Sequence, residues 1–577
     1  MRTMATDKGL EELRWVRRKS RGLYWAVGVF SFVVNLLMLT GPLYMLQVYD
    51  RVLGSGSEQT LVALSLLVAF LFGLMGVLDF VRGRVMARVG ARFQDDLDHR
   101  VFSAALRRSS LGRTAGAQTA IADLEAVQRL LTSPVLTAFF DAPWTPIFLI
   151  GIALFHPWLG ALAVAGGGAL ILAAVLNQVS SKKPLEKLTL ASHASNYMST
   201  QLQSEAEMIS ALGMREAAFR RWQKTREKSL RATVSAADIG GFFTTSIKTF
   251  RLFLQSAMLG LGAYLALKGE ITPGAMIAGS ILLGRALAPV EMAVNQWAVV
   301  QRARRGWTSL AELLTEVPPE IARTKLPEPA ASLQVQQITV VPPGETQASL
   351  RMLSFEVAPG EAIGVIGASG AGKSTLAKAL TGVWRTAGGK VRLDAAALDQ
   401  YDPTDLGRYI GYLPQRVELF DGTIAENISR LAETPDATKV VQAAQSADAH
   451  EMILKLPDGY DTQVTSQGGR LSGGQIQRIG LARAMYGDPA ILVLDEPNSN
   501  LDNEGSTALN SAIRSMKAMG KSVLIMAHRP AAIQECDKLL VLDQGARRAF
   551  GPRDTVLKEV LQNYSEVKNS NTPGGVQ

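Results

Sequence analysis

Gly367-Ala368-Ser369-Gly370-Ala371-Gly372-Lys373-Ser374 follows the apolar run Ala362 to Ile366 and opens a helix-forming stretch. This is the spacing of a phosphate-binding loop between a strand and a helix. Glycines let backbone N–H groups curl around phosphate oxygens, and the helix N-terminus adds its positive end. Lys373 is expected to reach the β- and γ-phosphates, and Ser374 to hold Mg²⁺. Thr375 follows in the first helical turn.

Downstream, Ile491-Leu492-Val493-Leu494-Asp495-Glu496 reads as a buried strand ending in two acids. Asp495 suits Mg²⁺ at the strand end, and Glu496 is then placed to orient or deprotonate an attacking water. Further apolar runs at Ser522 to Met526 and Leu539 to Leu542 alternate with helical stretches, which argues a largely parallel α/β sheet. The Pro-rich stretch from Val317-Pro318-Pro319 to Pro327-Glu328-Pro329 reads as a linker to what precedes.

The earlier half is different. Across 577 residues 47% are apolar and 19% charged, below the roughly 25% of an average soluble chain. A span needs about 20 apolar residues to cross about 30 Å of hydrocarbon. Gly22 to Tyr49 and Gln59 to Leu78 carry no charge. Ala142 to Ser181 is long enough for two helices broken at Phe155-His156-Pro157, and Ile239 to Leu267 and Ile271 to Val300 complete six candidates. The net charge of +9 does not mark a nucleic-acid face, because the basic excess lies between these runs. Lys8 to Arg21, the nine arginines from Arg82 to Arg129 and the basic stretch after the fourth span all belong on one side, the cytoplasmic one. Cys536 is the only cysteine, so no intramolecular disulfide forms. Gly-bearing interruptions at Ser110-Leu111-Gly112 and Ala211-Leu212-Gly213 predict helical hairpins that turn below the membrane. The predicted layout is an N-terminal segment 1–21, a membrane domain 22–310, a linker 311–332, an ATPase domain 333–564 and a disordered tail 565–577.

Leu471-Ser472-Gly473-Gly474-Gln475 resembles the signature of ABC ATPases. Gln415 in Tyr412-Leu413-Pro414-Gln415 is similar to the family's Q-loop, Ser499-Asn500-Leu501-Asp502 to its D-loop, and His528 to its switch histidine. The resemblance extends to the first span, Asn35 to Arg51, to Phe155-His156-Pro157-Trp158-Leu159 and to Asp495-Glu496-Pro497-Asn498-Ser499-Asn500-Leu501-Asp502. These look like the ABC component of bacterial type I protein secretion, its PrtD-like branch in particular.

That resemblance implies a six-helix exporter domain followed by a P-loop ATPase. It also implies ATP and Mg²⁺ as cofactors, with Glu496, His528 and Gln415 in catalysis and Ser374, Gln415 and Asp495 at the metal. Ser472, Gly473, Gly474, Gln475 and Asp502 would complete the ATP site of a second copy, so a homodimer is expected. Implied partners are a periplasmic adaptor (a membrane fusion protein), a TolC-type outer-membrane channel, a secreted polypeptide with an uncleaved C-terminal signal, and membrane lipid, but no nucleic acid. The implied location is the bacterial inner membrane. A lipid or drug exporter uses the same engine and is the alternative, followed by a non-transporting scaffold, against which intact Lys373, Asp495, Glu496, Ser472 and His528 argue. Only about 21 residues precede the first span, which argues against exporters that carry a peptidase-like domain there.

Two positions depart from the family pattern. Ile338-Thr339-Val340-Val341-Pro342-Pro343 has no aromatic where adenine usually stacks, and Ser466-Gln467-Gly468-Gly469 has Gln467 where exporters usually carry Glu. In the fifth and sixth spans, counting about 1.5 Å per residue sets Lys248 and Glu291 at one depth, about 29 Å from the outer turn. The expectation is a Lys248–Glu291 pair, with Arg251 and Arg285 facing a cavity.

Overall fold

The structure is a computed structural model that describes residues 2–112, 116–320, 323–465, 471–499, 501, 503–527 and 530–559. It divides into two compact units, 1–107 with 114–319, and 108–113 with 320–577.

The first unit is helical. Six helical stretches are long and apolar enough to cross a membrane: Arg21–Ser55, Glu58–Ser110, Pro134–Phe155, Pro157–Ser204, Arg215–Leu267 and Pro273–Asn295. The third starts at Pro134 rather than Ala142, because the 3-10 turn Ala142–Trp144 bends the path without ending it. Between the third and fourth, His156 turns extended (φ −166°) and its Nδ1 accepts the Trp158 N–H at 3.2 Å, with Pro157 opening the next helix. Proline suits that place because its missing N–H is one the helix leaves unbonded anyway. Glu58–Ser110 and Arg215–Leu267 have 53 residues each, about 80 Å at 1.5 Å per residue, so both run far beyond a bilayer core. They end at the predicted interruptions, with Gly112 (φ 70°) after the first and Gly213 (φ 66°) before the second.

The N-terminal segment is a helix, Arg2–Lys19. Its Leu13 and Val16 are buried in a cluster with Phe93, Leu97, Leu310 and Leu314. The Gly9 N–H donates to Thr315 Oγ1 at 3.0 Å, and Arg100 Nε donates to Glu12 Oε1 at 2.9 Å. Further along, buried Arg82 joins three spans, donating to Ser31 Oγ at 3.0 Å and Asp141 Oδ1 at 2.8 Å, while Asn35 donates to the same Asp141 oxygen at 2.7 Å. A buried charge is tolerated when it is paired and hydrogen-bonded in this way.

A π-helical turn, Val48–Val52, lies near the end of the first span. It aims Asp50 at the start of the sixth, where Oδ2 accepts from Thr272 Oγ1 at 2.7 Å and Oδ1 from the Gly274 N–H at 3.0 Å. A Cβ on Gly274 would lie 2.6 Å from Asp50 Oδ1, so the approach needs glycine.

The expected Lys248–Glu291 pair does not form. Arg251 Nε lies 3.0 Å from Glu291 Oε2 instead, and Lys248 is exposed. Arg251 is one turn nearer the outer end, a gap its longer side chain spans. That pairing also overturns the expectation of a cavity-facing Arg251, while Arg285 is exposed.

In the second unit the strands are β1 (Leu333–Val340), β2 (Leu350–Val357), β3 (Ala362–Gly367), β4 (Gly388–Leu393), β5 (Ala396–Ala397), β6 (Ile410–Leu413), β7 (Gly422–Thr423), β8 (Gln463–Val464), β9 (Ile491–Asp495), β10 (Ser522–Met526), β11 (Lys538–Asp543) and β12 (Ala546–Pro552). The main sheet has the order β12-β11-β3-β10-β9-β6, with β12 alone antiparallel. Parallel strands buried on both faces read as continuous apolar runs, and β9 and β10 are buried at every position. A second sheet, β2-β1-β4-β5, is antiparallel and was not anticipated. Its β1 buries Leu333, Val335, Ile338 and Val340, an alternation that slips by one residue where the pairing to β2 is irregular.

Candidate nucleotide site

Five parallel strands put their carboxyl ends on one edge, where ligands of open α/β sheets bind. Register brings the motifs level: Met526 of β10 pairs with Asp495 of β9 and with Val365 of β3. The loop from Gly367 leaves β3 there and enters the Lys373–Leu380 helix. Gly370 (φ 80°) and Gly372 (φ 99°) supply left-handed backbone, which side chains other than glycine rarely adopt. At Gly372 a Cβ would also sit 2.7 Å from Leu350 Cδ2 and 2.9 Å from the Ser349 carbonyl. Ala368, Ser369 and Gly370 are exposed at the loop's crest, while Ala371 is buried beneath it.

Lys373 is buried, and its Nζ donates to the carbonyls of Gly367 (2.8 Å) and Ala368 (3.0 Å), which holds the ammonium inside the loop. Burial lowers its pKa, against the pull of Glu496 and Asp495. Ser374 Oγ donates to Asp495 Oδ1 at 3.3 Å. Burial raises the Asp495 pKa; the Ser374 hydrogen bond opposes that and the neighbouring Glu496 adds to it. A hydroxyl beside a buried carboxylate is a hard-oxygen donor set of the kind Mg²⁺ takes together with substrate phosphates. Tyr412, behind Asp495, is pushed up to about 12 by burial and by that carboxylate, so its hydroxyl stays protonated.

Glu496 leaves β9 in left-handed backbone, φ 50°. Its N–H donates to the Met526 carbonyl at 2.9 Å and its own carbonyl accepts from Ser499 at 3.2 Å, which fixes the turn. Such a conformation costs on the order of 1–3 kcal/mol and persists where the surroundings hold it. It turns the carboxylate to Gln415, whose Nε2 donates to Glu496 Oε2 at 2.9 Å. Phosphate loop, strand-end acids and Gln415 are therefore one constellation.

The signature residues form a separate group. Ser472 caps the Gly473–Met485 helix reciprocally: its Oγ accepts the Gln475 N–H at 3.3 Å, and Gln475 Oε1 accepts the Ser472 N–H at 2.8 Å. Ser472 and Gly473 are exposed. No hydrogen bond joins residues 472–475 to the phosphate loop among the described residues. The cap presents a helix N-terminus outward, an end suited to an anion.

Sequence reasoning missed Gln477. It is buried, and its Nε2 donates to the Pro497 carbonyl at 3.2 Å, tying the signature helix to the turn after Glu496. A lone polar residue on a buried helical face was the available signal. Asp502, His528 and Gln467 lie outside the described residues. In place of an adenine-stacking aromatic, Val340 and Pro342 are buried at the end of β1.

Residues 24–288 match the family model described as ABC transporter transmembrane region, and 350–499 the one described as ABC transporter. The chain is 42% identical over 561 residues to the type I secretion system ATP-binding protein PrsD of Rhizobium meliloti, covering 97% of this chain and 96% of PrsD. It is 27% identical to the cyclolysin secretion/processing ATP-binding protein CyaB of Bordetella pertussis (93% of this chain, 76% of CyaB). Identity to the leukotoxin translocation ATP-binding protein LktB of Mannheimia haemolytica is 26% (95% and 78%). In fold it is similar to a bacterial Atm1-family ABC exporter solved with ATP bound, with a TM-score of 0.78 at 22% identity over 96% of this chain and 99% of that one.

Proposed function

The chain belongs to the type I secretion ATP-binding proteins of the ABC transporter family, and from that premise we propose that two copies act as a homodimer closing around two ATP molecules. It is a multi-pass membrane protein whose ATPase drives protein export. In our reading each ATP lies between the phosphate loop of one copy and Ser472 to Gln475 of the other. One observation carries this: Ser472 and Gly473 are exposed, and among the described residues no hydrogen bond joins the signature helix end to the phosphate loop, which is itself bonded to Asp495.

In the proposed cycle Lys373 and the loop N–H groups hold the β- and γ-phosphates. Glu496, steadied by Gln415, orients the attacking water and takes its proton. Ser374 and Asp495 would hold Mg²⁺, with Gln415 beside them; the ion supplies charge neutralisation on the phosphates. Asp502 and His528 are assigned to the same interface. Closure moves the helical tips at Gly112 and Gly213, and through them the spans.

We further assign the chain to the bacterial inner membrane, with N-terminus and ATPase in the cytoplasm, because the basic loops lie on that side. Its proposed companions are a periplasmic adaptor and a TolC-type outer-membrane channel, and its cargo a polypeptide with a C-terminal signal.

Mixing inactive variants tests the shared site. Lys373→Ala and Ser472→Ala are each expected to abolish hydrolysis in proteoliposomes. Co-reconstituted, they form mixed dimers with one doubly damaged and one intact site, so activity returns in part. Absence of any recovery, with mixed dimers shown by cross-linking, rejects the two-copy site.

A further inference from the structure

From Leu13 to Trp25 the chain carries five basic residues, Arg14, Arg17, Arg18, Lys19 and Arg21, and no acid. Two of the five are used within the protein. Arg17 lies over the Trp307 ring at 5.8 Å, and Lys19 pairs with Asp96 at 3.3 Å. Arg14, Arg18 and Arg21 are exposed and form no ion pair among the described residues. Beside them stand two indoles that an aqueous surface does not favour, Trp15 at 61% and Trp25 at 77% exposure. The opposite side of the helix is already occupied, since Leu13, Val16 and Ser20 are buried. The exposed side is thus not a core face awaiting its own chain. It also borders the bilayer, because the charge-free run of the first span begins at Gly22.

We propose that Arg14, Arg18 and Arg21, flanked by Trp15 and Trp25, bind the headgroups of acidic phospholipids in the leaflet where the first span begins. Indoles prefer the boundary between headgroups and acyl chains. Guanidinium forks match phosphate geometry, and their weak hydration suits a site half out of water. Basic clusters next to a span draw anionic lipid. Of the two acids just before the cluster, Glu12 is held by Arg100 and Glu11 is exposed one turn before Arg14. An acidic protein partner would account for the arginines but not for indoles at the edge of a span.

The test uses the full-length chain in bilayers of three parts phosphatidylcholine to one of phosphatidylglycerol. Native mass spectrometry counts each lipid retained. The wild type is expected to retain phosphatidylglycerol in excess of its share. Arg14→Gln/Arg18→Gln/Arg21→Gln should lose that excess, by about fivefold per arginine at the strength of a surface contact. The corresponding triple Lys variant keeps most of it, which controls for folding, and high salt during reconstitution weakens it in the wild type. Arg220→Gln/Arg221→Gln/Arg226→Gln, three arginines in the first half of the Arg215–Leu267 helix and outside this cluster, should change nothing. Undiminished selectivity in the first triple variant overturns the site, as does an equal loss in the Arg220 set.

Discussion

Gln415 and Glu496 stand 81 positions apart in the chain, and the amide Nε2 of the first donates to Oε2 of the second at 2.9 Å. A neutral donor thus holds one oxygen of that carboxylate. Loss of either partner is expected to disturb the other.

Glu496→Gln is therefore expected to keep ATP binding and lose hydrolysis by about 10²–10⁴-fold, the usual worth of a general base. Turnover and equilibrium nucleotide binding, measured on the same preparation, separate the two effects. Turnover within about threefold of wild type, under ~1 kcal/mol of barrier, assigns the base elsewhere.

Asp495 makes an opposite pair of predictions for stability and activity. Burial raises its pKa above the ordinary carboxylate value. Between the unfolded and the raised folded pKa the folded state binds more protons, so stability falls as pH rises through that window and stays reduced above it. Asp495→Asn removes the buried charge and keeps the shape. The ATP-free variant should melt higher than wild type at neutral pH and lose Mg²⁺-dependent hydrolysis. A lower melting point at neutral pH contradicts the argument.

The Arg251–Glu291 pair can be tested by reversal. Glu291→Lys should impair export of the polypeptide substrate, and adding Arg251→Glu should restore part of it. Adding Lys248→Glu instead should not. Rescue by the Lys248 change alone would return the pairing to the one expected from depth.

Asp50 caps a helix that begins 223 residues later. Asp50→Ala should cost roughly 0.5–2 kcal/mol, the worth of a lost N-cap, read as a lower thermal midpoint in detergent. Asp50→Asn, which still accepts a hydrogen bond, should fall between.

The strands that carry the motifs were legible because each motif is local: an apolar run with its chemistry at the end. Once Ala362 to Ile366 and Ile491 to Leu494 read as parallel strands, Lys373 and Asp495 had to share an edge. The antiparallel sheet was not legible, since the alternation in β1 slips by one residue at Gln336–Gln337 and leaves two short pieces in place of one continuous period of two. Contacts such as Asp50 to Gly274 and Gln477 to Pro497 join residues whose local sequence carries no trace of the partner. In the membrane half, counting rise gave depth to within one turn. It could not say which of Lys248 and Arg251, three positions apart, reaches Glu291.

The bond from Gly9 to Thr315 closes a gap of 306 residues, and this orders events at the ribosome. At about 5–20 residues per second, roughly 15–60 s pass between synthesis of the N-terminal helix and arrival of the helix that buries its Leu13. Until Phe93 and Leu97 follow, about 80 residues later, the young helix has its apolar side bare and its basic side already charged. Its available neighbour is the surface of the bilayer into which the first span is being threaded, so the lipid meets this helix before the protein does.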